Sequence, residues 1–229
     1  MDIYLASRSP RRAALLQLLP VHFSLLLPDD QEDAEALEAV HPAESPAHYV
    51  RRVVEAKAGA ALARMRQRAL PPLPILAADT TVALGSRIFG KPADKADALR
   101  MLRMLAGRRH RVLTGVACIR PGGSLKLRIQ VSTVWFARIG EAALQAYVDR
   151  GESMDKAGGY AIQGSAALFV RRIEGSQSGI MGLPLYETAL VLGLRQSLYG
   201  GAQTPHRKGP PPGALPDADA TQDTASGHA

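Results

Sequence analysis

The run Leu5-Ala6-Ser7-Arg8-Ser9-Pro10-Arg11-Arg12 constrains this chain more than any other stretch, because it dictates a strand that turns directly into a helix. Ile3 to Ala6 is apolar and predicts a short buried strand. Ala13 to Leu19 carries an apolar face and predicts a helix. Between them Ser9 suits an N-cap, and Pro10 suits the first helical position, where its missing N–H would be unpaired anyway. Such a turn aims free backbone N–H groups and the positive end of the helix dipole at one spot. Arg8, Arg11 and Arg12 add three positive charges there. The segment reads equally as a holder for a polyphosphate and as a solvated basic turn.

Beyond this turn, helical and extended patterns alternate. Phe23 to Leu27 predicts a strand, followed by an acidic segment from Asp29 to Glu38. Ser45-Pro46 opens a long helix to about Arg68, which Leu70-Pro71-Pro72-Leu73-Pro74 breaks before a strand over Ile75 to Ala78. Thr81 to Phe89 predicts an extended pair around Gly85, and Asp94 caps a helix to Leu105. Arg111 to Ile119 and Leu125 to Phe136 form a hairpin across Pro121-Gly122-Gly123. Glu141 to Arg150 predicts a helix, Ala167 to Ile173 a strand, and Pro184 to Leu198 the closing helix. A mixed α/β fold is expected. With 46% hydrophobic residues in 229, the chain can fill one substantial core or two lobes of one domain. From about Gly200 large apolar residues almost vanish and Pro210-Pro211-Pro212 intervenes. Residues 1–199 are therefore expected to fold and 200–229 to form a disordered tail.

A formal charge of +7 favours an anionic partner without separating nucleotide, nucleic acid and membrane surface. Cys118 is the single cysteine, which excludes an intrachain disulfide and a multi-cysteine zinc site, and the six histidines show no metal-ligand spacing. Charged residues precede any long apolar run at the N-terminus, and no stretch approaches the roughly 18 apolar residues of a membrane span. A soluble, cytoplasmic protein is expected, with no membrane partner.

Several residues stand where packing alone would not put them. Lys57 falls on the same helical stripe as Val50, Val53, Val54, Ala61 and Met65. It either snorkels to solvent or reaches a fixed anion in a cleft. Asp79-Thr80-Thr81 follows the buried run Pro74-Ile75-Leu76-Ala77-Ala78, at what reads as the carboxyl end of a strand, the edge where α/β sheets bind ligands. A carboxylate there suits a general base or a metal ligand rather than a turn cap. Gly85-Ser86-Arg87-Ile88-Phe89-Gly90-Lys91-Pro92 resembles a Walker A motif but has Pro92 where a Ser or Thr hydroxyl would bind magnesium. That excludes a P-loop and leaves Gly90-Lys91-Pro92 as a turn presenting one lysine, against a phosphate or simply to solvent. Gly151 to Gly164 gathers four glycines around Asp155, Lys156 and Gln163, and the Gln163 amide, donor and acceptor at once, suits a base edge.

Taken together, these residues resemble the Maf family of nucleoside triphosphate pyrophosphatases, over about residues 1–199. The motifs are Leu-Ala-Ser-Arg-Ser-Pro-Arg-Arg from Leu5, Ala-Asp-Thr-Thr-Val from Ala78, Gly90-Lys91-Pro92, the Asp155 to Gly164 run and Gly182-Leu183-Pro184. The resemblance implies an α/β fold akin to the inosine triphosphate pyrophosphatases, an elongated mixed sheet with two lobes flanking a cleft. It also implies hydrolysis of a nucleoside triphosphate to monophosphate and pyrophosphate with a divalent metal, magnesium or manganese. On this basis Asp79 is the catalytic acidic residue, and Ser9, Arg12, Lys57 and Lys91 fall on phosphate-handling positions. Glu32 falls on the acidic position after the second strand and joins Asp79 as a metal ligand. Arg11, Thr80 and Gln163 match the branch acting on dTTP and UTP, whereas the 7-methyl-GTP branch resembles Ser-Pro-Trp-Arg at the first motif. The resemblance allows a homodimer. One departure lies in Gly175 to Met181, where the family more often has an aromatic and an Asn.

The implied reaction is attack of an activated water on the α-phosphorus, with Asp79 as base or metal ligand and Arg12, Lys57 and Lys91 neutralising phosphate charge. The rival reading is a non-catalytic binder of nucleic acid or of the division machinery. Against it, basic residues cluster at turns beside an acidic strand rather than along one face with interleaved aromatics.

Overall fold

The computed structural model describes residues 1–29, 32–33 and 36–194. The expected domain boundary at 199/200 and the tail 200–229 lie outside the described residues. Strands β1 (Asp2–Leu5), β2 (His22–Leu25), β3 (Ile75–Leu84), β4 (Arg87–Phe89), β5 (Arg109–Ile119), β6 (Leu125–Phe136) and β7 (Val170–Glu174) alternate with six helices. These are α1 (Pro10–Leu16), α2 (Pro46–Gln67), α3 (Lys95–Leu105), α4 (Glu141–Asp149), α5 (Gln177–Ile180) and α6 (Leu185–Leu192). The strands form one mixed sheet in the order β2-β1-β3-β5-β6-β7, with β4 on the far end of β3. β1 is parallel to β2 and β3, while β3-β5, β5-β6 and β6-β7 are antiparallel.

Local chemistry explains the elements that position the site. Ser45 caps α2 by accepting the His48 N–H, Pro46 takes the first position, and Val50, Val53, Val54, Ala58, Ala61 and Met65 bury one stripe against β3 and β5. Gly115 lets the helix come this close. A Cβ there would stand 3.0 Å from Val54 Cγ1 and 3.2 Å from the Val50 carbonyl oxygen. Gly115 is also the cross-strand partner of Asp79, so this close approach of α2 falls beside the carboxylate.

β3 corrects the sequence reading. The strand does not stop at Ala78 but runs on to Leu84, because Asp79, Thr80 and Thr81 continue the ladder opposite Gly115, Thr114 and Leu113. What ends is β1, whose pairing with β3 stops at Leu5 and Leu76, and β4 joins only from Val82. Between those points no described strand pairs with that edge of β3. Alternation then sends neighbours to opposite faces. Ala77, Asp79 and Ala83 face α2, while on the opposite face Ala78 and Thr80 meet α1 and Val82 packs toward α3. The interrupted edge gives access to both. Other elements shift modestly. β7 begins only at Val170, after a 3-10 turn over Ser165–Phe169, and α6 ends at Leu192, where Gly193 closes it.

The core divides along the sheet. Leu5, Leu16, Leu76, Val116 and Leu183 pack beneath α1 and α6. Val82, Leu102, Phe136, Leu144 and Phe169 pack beneath α3 and α4. The interrupted stretch of β3 lies between these two clusters, which realises the expected pair of lobes flanking a cleft.

Candidate active site

A cavity of about 370 Å³ opens over the interrupted edge of β3. Ser9, Arg11, Arg12, Lys57, Asp79, Thr80, Lys91 and Gln163 all line it, so eight of the nine residues singled out by sequence converge. The ninth, Glu32, does not line it. Its carboxylate is held by the buried Arg64 guanidinium, with Arg68 at 3.7 Å, and those hydrogen bonds hold it well below the usual carboxylate range.

The acidic neighbour of Asp79 is instead Glu38, which sequence reasoning passed over. Lys57 Nζ donates to Asp79 Oδ1 at 2.6 Å and to Glu38 Oε1 at 2.7 Å, so one ammonium holds two carboxylates. Lys91 Nζ stands 3.4 Å from Glu38 Oε2. Burial pushes the Glu38 carboxyl up, but the attraction of Lys57 and Lys91 outweighs it and leaves the group lowered. Lys57 thus reaches a fixed anion instead of snorkelling. The short 3-10 turn Ala36–Glu38 is pinned from α2, where Tyr49 donates to the Glu38 carbonyl at 3.0 Å. Arg52, forked onto Glu44 at 2.8 Å on both nitrogens, also donates to the Leu37 and Ala39 carbonyls. Nothing in the spacing of the acidic run marks Glu38. Only the α2 anchors select it.

Asp79 is 4% exposed, and its Oδ2 is buried with no hydrogen-bond partner among the described residues. A buried carboxylate oxygen left unpaired is costly, and Asp79 is among the residues that line the cavity. Across the strand, Arg12 is half-buried and held by three bonds: Nε to the Gly182 carbonyl at 2.8 Å, Nη1 to Ser7 at 3.3 Å, and Nη2 to Thr80 at 3.2 Å. Burial lowers its pKa from the ordinary value, opposed by the charges of Asp79 and Glu38, yet a guanidinium stays protonated. Ser9 occupies the N-cap position of α1, but its side chain makes no cap, so its hydroxyl is left for the cavity.

The far wall comes from the glycine-rich loop. Gly158 has φ +72°, and a Cβ there would press on Val82 at 3.0–3.1 Å, so the loop lies flat on β3. The Gly158 N–H donates to the Gly90 carbonyl at 3.0 Å, which ties the Lys91 turn to the Gln163 loop. Tyr147 accepts the Ala161 N–H at 3.1 Å, and Glu152 accepts from both the N–H and the hydroxyl of Ser165, fixing Gln163 between them. Arg11 reaches across to Asp155 at 3.8 Å. The Gly175 to Met181 departure is accommodated on β6, where Ser132 accepts the Ser176 N–H at 2.9 Å and donates to its carbonyl at 3.2 Å.

Among the described residues no group of three or more His, Cys, Asp or Glu side chains is placed to hold a metal. Two carboxylates, Asp79 and Glu38, flank the cavity, and Asp79 offers a free oxygen. Such a donor set suits a hard cation that keeps waters and shares substrate phosphates, rather than one caged by protein. No described helix is long and apolar enough to cross a membrane.

Comparison with known proteins agrees in extent. The chain is 56% identical over 190 residues to the dTTP/UTP pyrophosphatase of Cupriavidus pinatubonensis, spanning 83% of this chain and 94% of that protein. It is 58% identical over 191 residues to that of Burkholderia pseudomallei, spanning 83% and 91%. Among solved structures, a HAM1 protein from Coxiella burnetii has a TM-score of 0.45 at 16% identity, covering 87% of this chain and 98% of that one. The family model for Maf-like proteins matches residues 2–194, from the start of β1 to just past α6, and the chain belongs to that family.

Proposed function

We propose that this protein hydrolyses dTTP and UTP to the monophosphate and pyrophosphate. One observation carries the reading: Asp79, whose buried Oδ2 has no hydrogen-bond partner among the described residues, lines a cavity together with Arg12, Lys57 and Lys91. The names carried by relatives above 55% identity give the substrate class.

In this reading the triphosphate lies along the interrupted edge of β3. Arg12, Lys91 and the Ser9 hydroxyl bind its phosphate oxygens. Asp79 takes the proton from a water through Oδ2 while Lys57 holds Oδ1 and fixes the carboxylate plane. The water oxygen bonds to the α-phosphorus, the bond from that phosphorus to the bridging oxygen breaks, and pyrophosphate departs. Charge that builds on the phosphates is met by pre-placed cations, which supply most of phosphoryl-transfer catalysis. A magnesium or manganese ion, which Asp79 and Glu38 would hold, supplies further charge neutralisation and substrate orientation when bound.

Gln163 and Arg11 read the pyrimidine edge. Thr80, expected to share that task, has its hydroxyl engaged by Arg12 and Thr114 and contributes from the other face of the sheet. In this reading the protein acts in the cytoplasm, on free nucleotides rather than nucleic acid. A homodimer is compatible with this reading.

A panel of nucleoside triphosphates assayed for pyrophosphate release tests the proposal. dTTP and UTP should lead, and Asp79→Asn should lower release by at least about a hundredfold with the fold intact. Best turnover of 7-methyl-GTP overturns the substrate assignment, and full turnover by Asp79→Asn removes Asp79 from the chemistry.

A further inference from the structure

Arg12 is one end of a directed chain of hydrogen bonds that the reaction above does not use. Counting protons fixes its direction. Thr114, fully buried on β5, has one hydroxyl proton and donates it to the Gly179 carbonyl at 2.7 Å. Toward Thr80 Oγ1, 3.0 Å away, Thr114 must therefore accept, which commits the single Thr80 proton to that bond. Thr80 in turn must accept from Arg12 Nη2 at 3.2 Å. The order is Arg12 to Thr80 to Thr114 to Gly179, each hydroxyl accepting one bond and donating the next. Bonds in such a series polarise one another.

The same peptide segment is held twice. Thr114 grips it at Gly179, and Arg12 Nε grips it three residues later at Gly182, while Ile180 to Gly182 form cavity wall. A guanidinium has five N–H bonds, and three are engaged among the described residues, which leaves one on each terminal nitrogen for an anion. Arg12 lines the cavity, and the orientation of its guanidinium plane sets where those two N–H groups point.

We propose that Thr114 is a positioning residue for phosphate binding, acting through Thr80 to hold the Arg12 guanidinium in the plane that presents its two remaining N–H groups to the triphosphate. This rests on the reading of Arg12 as a phosphate holder. It also assigns Thr80 to orienting Arg12, because a hydroxyl whose one proton is committed to Thr114 has none to donate to a base.

The test is a double-mutant cycle read as kcat and KM for dTTP, with melting temperature recorded for each protein. Thr114→Val removes the hydroxyl at nearly constant shape and should lower kcat/KM about tenfold, the size of one lost hydrogen bond to a charged-group network. Thr114→Ser keeps the hydroxyl and should restore activity to within about threefold. In an Arg12→Ala background, itself reduced at least about a hundredfold, Thr114→Val should have no further effect. Equal losses in both backgrounds, or no loss in either, overturn the relay. An Arg12→Ala enzyme with full activity overturns the phosphate role of Arg12 and the relay with it, whereas a crippled Arg12→Ala beside an unaffected Thr114→Val overturns the relay alone. If Thr114→Val does not fold, Thr80→Ala on the half-buried middle link reads the same coupling: loss confined to the Arg12 background supports the relay, and additive loss overturns it.

Discussion

Replacing Lys57 with Met keeps the length and apolar stem of the side chain and removes only the charge. Among the described residues that charge is the only donor to Asp79 Oδ1, at 2.6 Å, and Oδ2 has none. Asp79 is 6% exposed at its side chain, so the variant would leave a carboxylate nearly shut off from water and beside a second one. Removing one partner of a buried pair costs about 3–5 kcal/mol. The lower end applies here, because Glu38 is 28% exposed and water can relieve it. A loss of about 3 kcal/mol in a domain of this size lowers Tm by roughly 6–12 °C. Adding Asp79→Asn removes the stranded charge and should recover at least half of the loss, although both proteins should be inactive. Thermal melts of the parent, Lys57→Met, Asp79→Asn and the double variant at pH 8 make the comparison. If Lys57→Met melts within about 2 °C of the parent, or the double variant melts no higher than Lys57→Met, the shared-lysine account of this site is wrong.

Four further outcomes follow from the structure. Glu38→Gln should lower kcat at least about tenfold by weakening the charge set around Asp79. Glu32→Gln should leave kcat within about threefold but destabilise by about 2 kcal/mol, because buried Arg64 loses its charged partner; the reverse pattern would return Glu32 to the site. His110 is buried against Tyr160, 2.8 Å from its hydroxyl, and burial lowers its pKa to about 4. The unfolded chain therefore takes up a proton first as pH falls, and stability present above about pH 6.5 is lost toward pH 4, on the order of 3 kcal/mol. His110→Phe should flatten that limb in urea titrations across pH 4–7, and an unchanged slope would refute the assignment. Gly115→Ala should destabilise by about 1–3 kcal/mol as α2 is pushed outward, with a fall in kcat beyond what stability explains, because Lys57 moves with the helix. Equal activity in soluble protein would show that the helix yields without disturbing the lysine.

Much of this site is legible in the chain itself, and the exceptions have physical causes. The strand-Ser-Pro turn, the capped α2 and the β5-β6 hairpin follow from local chemistry, and they deliver Arg12, Lys57 and the partners of β3. β3 was harder to read, since Asp79 and two threonines look like an end to a buried apolar run while cross-strand pairing carries them on. Whether a strand ends there depends on a neighbour distant in sequence, here the short β1. Glu38 lies in a run of interchangeable carboxylates, and Tyr49 and Arg52, one and two turns into a helix that reads as ordinary, decide which of them reaches the lysine. Thr114 shows the same limit, for a β-branched residue in a buried strand looks like packing until its hydroxyl is traced to Arg12. The face each residue takes separates Asp79 from Thr80, and that alternation was readable only once the strand was known to continue.

The central claim is that a water activated by Asp79 attacks the α-phosphorus. Hydrolysis of dTTP in ¹⁸O-labelled water, followed by mass analysis of both products, tests it most directly. The account predicts one labelled oxygen in the monophosphate and none in the pyrophosphate. Label in the pyrophosphate, or release of orthophosphate in its place, would contradict it.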